Sequence, residues 1–257
     1  MTTTALVAWP DDRIAGAVAD GLSQRGRRWR WLMPVTLAAT RATIDADGFA
    51  LDGEPVDAVL WRVAPEADLS ADFAAGDRVF ADTEARSFWL AALNLPSLRS
   101  VIRPAAELFF ARSGWLYWRE LLQRQRLRLA ALRLGGARRA DDSAWLPFAG
   151  TALRPPPGAA TAALLGAALT PATAAARVAY AGRTLCGAET LAADAQAQVQ
   201  AAATALDDAG LHLGELLVAH DGGVIAVDAL PRIDDADTVR RLLPSILEML
   251  DDAADRR

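Results

Sequence analysis

The sequence predicts an α/β protein, and the two ends of the chain carry that prediction. Residues 5–9 are a short apolar run, residues 14–22 have helical spacing that stops near Gly26, and residues 29–33 are a second apolar run before Pro34. Runs of this length on either side of a 3.6-period segment read as strand, helix, strand. Toward the other end, residues 211–233 place apolar residues on both sides of His220, Asp221, Gly222 and Gly223. An Asp-Gly reversal between two such runs joins antiparallel strands, so this stretch is a hairpin. Residues 237–250 then form an amphipathic helix, with Val239, Leu242, Leu243, Ile246, Leu247 and Leu250 on one side, to cap the core or join a dimer.

Composition narrows the function. A chain of 257 residues, 53% of them hydrophobic, is globular and long enough for one large or two small domains. Its net charge of −5 gives no reason to expect nucleic acid as a partner, because phosphates call for a basic face. The start lacks the charged-then-apolar pattern of a signal peptide, and no long uncharged apolar stretch suggests a membrane span. The expectation is a cytoplasmic protein with no membrane partner. Cys186 is the single cysteine; it cannot form an internal disulfide and reads as a small buried residue in a reducing compartment. All 27 basic residues are arginines, with no lysine anywhere. Any function must therefore work without a lysine, whose compact ammonium an arginine does not replace.

Between the two ends the elements follow in order. The opening turn lacks a Gly-x-Gly-x-x-Gly fingerprint, which disfavours a dinucleotide site of the usual kind. Residues 44–51 read as a hairpin around Asp47 and Gly48. Residues 57–62 read as a buried strand, with Trp61 a core or rim aromatic and Arg62 a surface cation. Residues 77–93 are helical, with Phe80, Glu84 and Phe88 spaced along one face, and lead into Asn94, Leu95 and Pro96. Residues 105–134 form a long basic amphipathic pattern whose arginines read as a solvated face, ended by Gly135 and Gly136. A short strand over 144–148 precedes a Pro/Gly/Ala-rich loop over 150–176. Residues 177–185 read as two short strands around a turn at Gly182 and Arg183, and 190–209 as an Ala/Gln-rich helix that leads to the hairpin.

The hairpin carries the chemistry. Glu215 opens its first strand and Asp228 closes its second, thirteen positions later. Two carboxylates then sit side by side at one end of a sheet, where they could share a divalent cation. His212 and His220 flank the first strand without a cysteine partner and read as surface residues, not a zinc site. No Gly-x-Ser-x-Gly elbow is present and Cys186 has no histidine nearby in sequence, so nucleophilic hydrolysis has no support.

This spacing resembles the metal-binding hairpin of the ATP-grasp superfamily, in which an acid begins one strand and a Glu-x-Asn-Pro motif ends the next. The matching run here is Asp228, Ala229, Leu230, Pro231 and Arg232, with Asp in place of Glu and Leu230 where the metal-binding Asn would stand. The run Arg177, Val178, Ala179, Tyr180, Ala181, Gly182 is similar to the Arg-Val-x-x-x-Gly segment of RimK-like, peptide-modifying ligases, where the Arg points at the nucleotide phosphates. The order of acidic helix, Asn-x-Pro and new helix resembles the boundary that precedes the ATP-binding region. The resemblance implies an ATP-grasp-like fold. A small N-terminal α/β domain would span residues 1–100, and an α+β ATP-grasp-like region with an antiparallel sheet would span 101–257. It implies ATP and Mg2+ as cofactors, Arg177 as the nucleotide-binding residue, and Glu215 and Asp228 as metal ligands.

The same resemblance exposes departures. Members carry a Lys early in the ATP-binding region, another on a later strand, a Gly-rich loop over the phosphates and an acidic hinge for adenine. Only Arg99, Arg103 and Arg112 stand near the first lysine's place, and residues 150–176 hold neither the second lysine nor an obvious acidic hinge. Charge builds on a transferred phosphoryl group, and each 1.36 kcal/mol lost to a missing cation costs tenfold in rate. The expectation is a degenerate ATP-grasp protein, a pseudoenzyme with ATP and Mg2+ binding weakened or lost. It would serve as a non-catalytic or substrate-binding partner of an ATP-dependent carboxylate-amine ligase in peptide modification or cofactor biosynthesis, as a homo- or heterodimer with its ligase or peptide. The alternative is an active, divergent ligase that works through an acyl phosphate. Neither reading assigns catalytic residues.

Overall fold

A computed structural model describes residues 3–46, 48–63, 67–71, 73–104, 114–130, 133–136, 145–148, 165–168 and 175–251, with backbone alone for 114–116, 133–136, 145–148, 165–168 and 175. The chain divides into two compact units, Met1–Phe110 with Ile233–Arg257, and Ala111–Arg232. The C-terminal helix thus belongs to the first unit, whereas a division at residue 100 leaves it with the second.

The first unit is built on a mixed sheet. Strands β1 (Thr3–Val7), β2 (Arg28–Leu32), β3 (Ala42–Asp45), β4 (Gly48–Leu51), β5 (Glu54–Trp61) and β6 (Arg99–Ser100) run in the order β2-β1-β5-β4-β3, with β6 also on β5. β1 lies parallel to β2 and β5, and β6 is parallel to β5, while β3 and β4 add an antiparallel hairpin. Ala58, Val59 and Leu60 are fully buried on consecutive positions, the continuous apolar run of a parallel strand covered on both faces. Helix α1 (Arg13–Gln24) starts where the Asp12 carboxylate accepts a hydrogen bond from the Ala15 N–H, 2.9 Å away, satisfying one of the free donors of the first turn.

Helix α2 (Arg78–Leu93) presents Ala81, Ala85, Trp89 and Ala92 to the core. Phe80, on the face spaced with Glu84 and Phe88, is 71% exposed. Ala81 and Ala85 are small positions of the buried face, and Trp89 and Leu93 supply its bulk. The Trp89 ring packs 5.4 Å from the rings of both Phe49 and Trp61. Arg62, expected at the surface, is buried and donates to Asp12 at 3.0 Å. The C-terminal helix, here α5 (Ala236–Asp251), packs its Val239, Leu242, Ile246, Leu247 and Leu250 face inward, with Leu247 seated against Gly21 of α1.

The second unit holds two antiparallel sheets. β7 (Arg133–Gly136), β8 (Trp145–Phe148) and β9 (Leu165–Ala168) form one, in the order β7-β9-β8. β10 (Ala175–Ala181), β11 (Thr184–Cys186), β12 (Leu213–Ala219) and β13 (Val224–Asp228) form the other, in the order β11-β10-β12-β13. Helix α3 (Gly114–Arg124) packs on β13, and α4 (Ala193–Asp208) on β12. The long basic helix read from the sequence is therefore shorter than expected. Its chain turns at Arg126, whose φ is +58°, and then runs extended so that Leu129 pairs with Val224. Gly135 and Gly136, read as its stop, lie within β7. The described part of the 150–176 loop contains β9, a strand too short and too alanine-rich to show a period in sequence.

The hairpin turn depends on one glycine. Gly222 has a φ of +80°, and a Cβ there would stand 2.7 Å from the Ala195 Cα of α4. Gly53, in the β4–β5 turn, has a similar φ of +83° but meets nothing within 4 Å. Gly53→Ala should cost only the left-handed backbone term, about 1–2 kcal/mol. Gly222→Ala must also displace backbone and should lower the urea midpoint further, and equal losses in the two variants would contradict this account.

Candidate functional site

Three residues singled out by the sequence come together on one face of the second unit's four-stranded sheet. Glu215 and Asp228 are direct cross-strand neighbours in β12 and β13. Arg177 in β10 sits opposite Leu217, two positions from Glu215. Side chains alternate between faces along a strand, so all three project from the same side. Arg177 Nη1 reaches Glu215 Oε2 at 2.8 Å. Both carboxylates are buried, Glu215 at 6% exposure and Asp228 at 2%, whereas the Arg177 side chain remains 30% exposed. Asp228 Oδ1 also accepts the Leu230 N–H at 2.9 Å, closing the turn that follows the strand.

The opposite face of the same strands is apolar, which holds the charged face in register. Val178, Leu216, Val218 and Val227 are buried there. Tyr180 lies beside Gly214, where a Cβ would stand 2.7 Å from the ring, so the glycine makes room for the phenol. Its hydroxyl donates to the Leu211 carbonyl at 3.2 Å. Burial pushes the Tyr180 phenol well above its ordinary range, and the charges of Asp207 and Asp228 add to the shift.

Arg119 is the residue the sequence reading missed. It lies in a segment read as a solvated basic face, yet its Nη1 donates to the Val224 and Ile225 carbonyls at 2.6 and 2.8 Å, and its Nη2 to the Ala130 carbonyl. The register between β12 and β13 shifts after Leu217, where Ile225 forms a bulge. A bulge interrupts the hydrogen-bond ladder, and Arg119 supplies donors for it. The one signal in the sequence is its position between Trp118 and Leu122, both buried on α3.

The other candidates are engaged within their own units or lie outside the described residues. In the first unit Arg99 binds Asp57 and the Leu250 carbonyl, and Arg103 contacts the Leu98 carbonyl. Arg112 and the loop expected to cover a nucleotide lie largely outside the described residues. His212 pairs with Asp207 at 2.7 Å, and Cys186 is buried. Among the described residues no group of three or more His, Cys, Asp or Glu side chains converges, and no helix is long and apolar enough to cross a membrane.

Mg2+ is usually held by one or two carboxylates together with waters and substrate phosphates. Two carboxylates are present, but Leu230 brings no oxygen on its side chain, and Glu215 is already bonded to a guanidinium.

No protein-family model matches the sequence, and no curated protein matches it either. Solved structures do. A Chryseobacterium gregarium RiPP-associated ATP-grasp ligase, in complex with ADP and a leader and core peptide, aligns over 99% of this chain and 98% of its own, with a TM-score of 0.63 and 11% identity. The chain has the ATP-grasp fold. The ATP-grasp ligase PsnB, complexed with a phosphomimetic variant of its minimal precursor, Mg and ADP, aligns over 97% of this chain and 99% of its own, with a TM-score of 0.64 and 16% identity. A RimK domain ATP-grasp protein from Sphaerobacter thermophilus DSM 20745 aligns over 97% and 99%, with a TM-score of 0.55 and 12% identity. The sheet carrying Arg177, Glu215 and Asp228 is thus part of an ATP-grasp fold.

Two variants test the site's framework. Arg119→Met removes three charge-assisted hydrogen bonds and should lower unfolding stability by about 2–4 kcal/mol in denaturant titrations. In a Tyr117→Phe background the remaining phenol, Tyr180, should resist ionisation in absorbance titrations well past pH 10. Because its folded pKa is raised, Tyr180 contributes stability that is full below the unfolded value near 10 and is lost as pH climbs toward the folded value. A transition at the ordinary tyrosine pKa in folded protein would contradict its burial.

Proposed function

We propose that this protein is a degenerate ATP-grasp-fold protein. It acts as a non-catalytic or substrate-binding partner of an ATP-dependent carboxylate-amine ligase system, in peptide modification or cofactor biosynthesis. The observation that carries this reading is the state of the Glu215/Asp228 pair, with Arg177 bonded to one acid and Leu230 at the position of a third ligand. A ligase of this fold needs cations placed where charge develops on the phosphoryl group. This chain has no lysine to supply them.

The fold's likeness to ligases solved with precursor peptides supports a peptide, or an active ligase acting on one, as the partner. The chain's own residues then have a binding role: an apolar-backed sheet holds Arg177 partly exposed, where it can pair with an anionic group. Homo- or heterodimerisation and a cytoplasmic location belong to this proposal.

A second reading is an active, divergent ligase, with ATP as cofactor and an acyl phosphate as intermediate. It is favoured by the direct pairing of Glu215 with Asp228 on neighbouring strands, an arrangement the hairpin preserves.

The two readings part on turnover. Incubated with ATP, magnesium and pooled peptide carboxylates and amines, the purified protein should release ADP no faster than buffer does. Asp228→Ala should change nothing in that assay and should leave co-purification with a complete ligase from the same gene neighbourhood intact. ADP release that disappears in Asp228→Ala would establish the divergent ligase instead.

A further inference from the structure

We infer that the outer edge of β2 is a docking site for an extended peptide segment in which acidic and apolar residues alternate, taken up as an added strand of the first unit's sheet. The inference deepens the peptide-partner part of the reading above and rests on that part alone.

β2 is the last strand on its side of the sheet, and among the described residues no strand pairs with its outer side. The Ala8 N–H donates to the Leu32 carbonyl at 3.1 Å, so the backbone groups of Leu32 point inward to β1. Successive residues of a strand turn their backbone groups to opposite sides within the sheet. Those of Arg28 and Arg30 therefore point inward like Leu32, and those of Trp29 and Trp31 point outward. Two N–H and two carbonyl groups along an edge are a template for another chain.

The side chains alternate as well, with Arg28 and Arg30 on one face and Trp29 and Trp31 on the other. Trp29 is exposed and donates its indole N–H to the Ser23 hydroxyl at 2.8 Å. Trp31 is half-buried and donates to the Ala8 carbonyl at 3.0 Å. Both indoles are fixed through their nitrogens, so the apolar surface they offer is already ordered. On the other face Arg30 lies 2.5 Å from Asp52, whereas Arg28 is exposed with no carboxylate against it among the described residues.

This pattern selects its occupant. Opposite charges across a strand pair attract and like charges repel. A second copy brought to this edge by a two-fold axis normal to the sheet would set its own arginine face beside this one. An acidic segment has no such conflict, and its intervening apolar side chains would lie beside the two indoles. Strand addition takes its affinity from the main chain and its selectivity from alternate side chains.

The test uses the full-length protein and a blocked, fluorescein-labelled peptide of alternating glutamate and valine, with an alternating lysine and valine peptide as control. Fluorescence anisotropy should show saturable binding of the first peptide, weakened by salt, and none of the second. Arg28→Glu should weaken binding about fivefold or more. N-methylation of alternate peptide amides separates strand addition from charge attraction: one alternate set faces the protein and should abolish binding, and the other faces away and should be tolerated. Trp29→Ala should keep part of the affinity. Trp29→Pro, which also removes an outward N–H, should lose it.

No saturable binding of the acidic peptide would overturn the inference. So would equal binding of the lysine peptide, indifference to Arg28→Glu, or two N-methylated sets that bind alike. A stable homodimer that Trp29→Pro breaks would put a second copy on this edge and overturn it too. Should Trp29→Pro fail to fold, the N-methylated peptides decide. These outcomes are separable from those of the ADP-release assay: a protein that ignores the peptide and releases no ADP sinks the docking edge and leaves the non-catalytic reading standing, and one that binds it and turns over ATP does the reverse.

Discussion

The antiparallel register of β10, β12 and β13 is the constraint on which the site depends. A one-residue slip would send every side chain to the opposite face, placing Arg177, Glu215 and Asp228 where Val178, Tyr180 and Leu216 now pack. The apolar face prevents that slip. Val178, Leu216, Val218 and Val227 are all within 1% of complete burial, and at roughly 1.5–3 kcal/mol for each large apolar side chain their exposure would cost more than the charged face could return. Function-bearing residues on this sheet are placed by residues that do no chemistry.

Electrostatics adds a second condition. Burying Glu215 and Asp228 without a partner would be severely destabilising, whereas a paired buried ion contributes little net stability. The Arg177–Glu215 bond therefore determines which state of the sheet is tolerable more than it strengthens the fold. Arg119 plays a comparable role at the other end of β13, where its guanidinium donates to the Val224 and Ile225 carbonyls beside the bulge. Arg119 is committed to this protein's own carbonyls, whereas Arg177 is bonded to Glu215 with part of its side chain still exposed.

Much of this was legible in the sequence, for identifiable reasons. The 211–233 hairpin announced itself through its Asp-Gly turn and flanking apolar runs, and thirteen-residue spacing was enough to pair Glu215 with Asp228. The Arg-Val segment placed Arg177 on the neighbouring strand. Other features were hidden because their signal is tertiary. Arg62 and Arg119 look solvated in any one-dimensional pattern, since an arginine's partners, here Asp12 and three carbonyls, lie far away in sequence. The spacing of Phe80, Glu84 and Phe88 did not say which face of α2 is buried; Ala81, Ala85, Trp89 and Ala92 are. The long basic pattern ran past its true end because the break at Arg126 comes from a left-handed backbone at a residue type that rarely adopts one.

The central proposal is that this chain, with its ATP-grasp fold, lacks a magnesium-dependent nucleotide site. Calorimetric titration of the purified protein with ATP, with and without magnesium, tests it most directly. The account predicts no saturable heat that depends on magnesium up to millimolar ATP. Saturable binding that appears only with magnesium would contradict it.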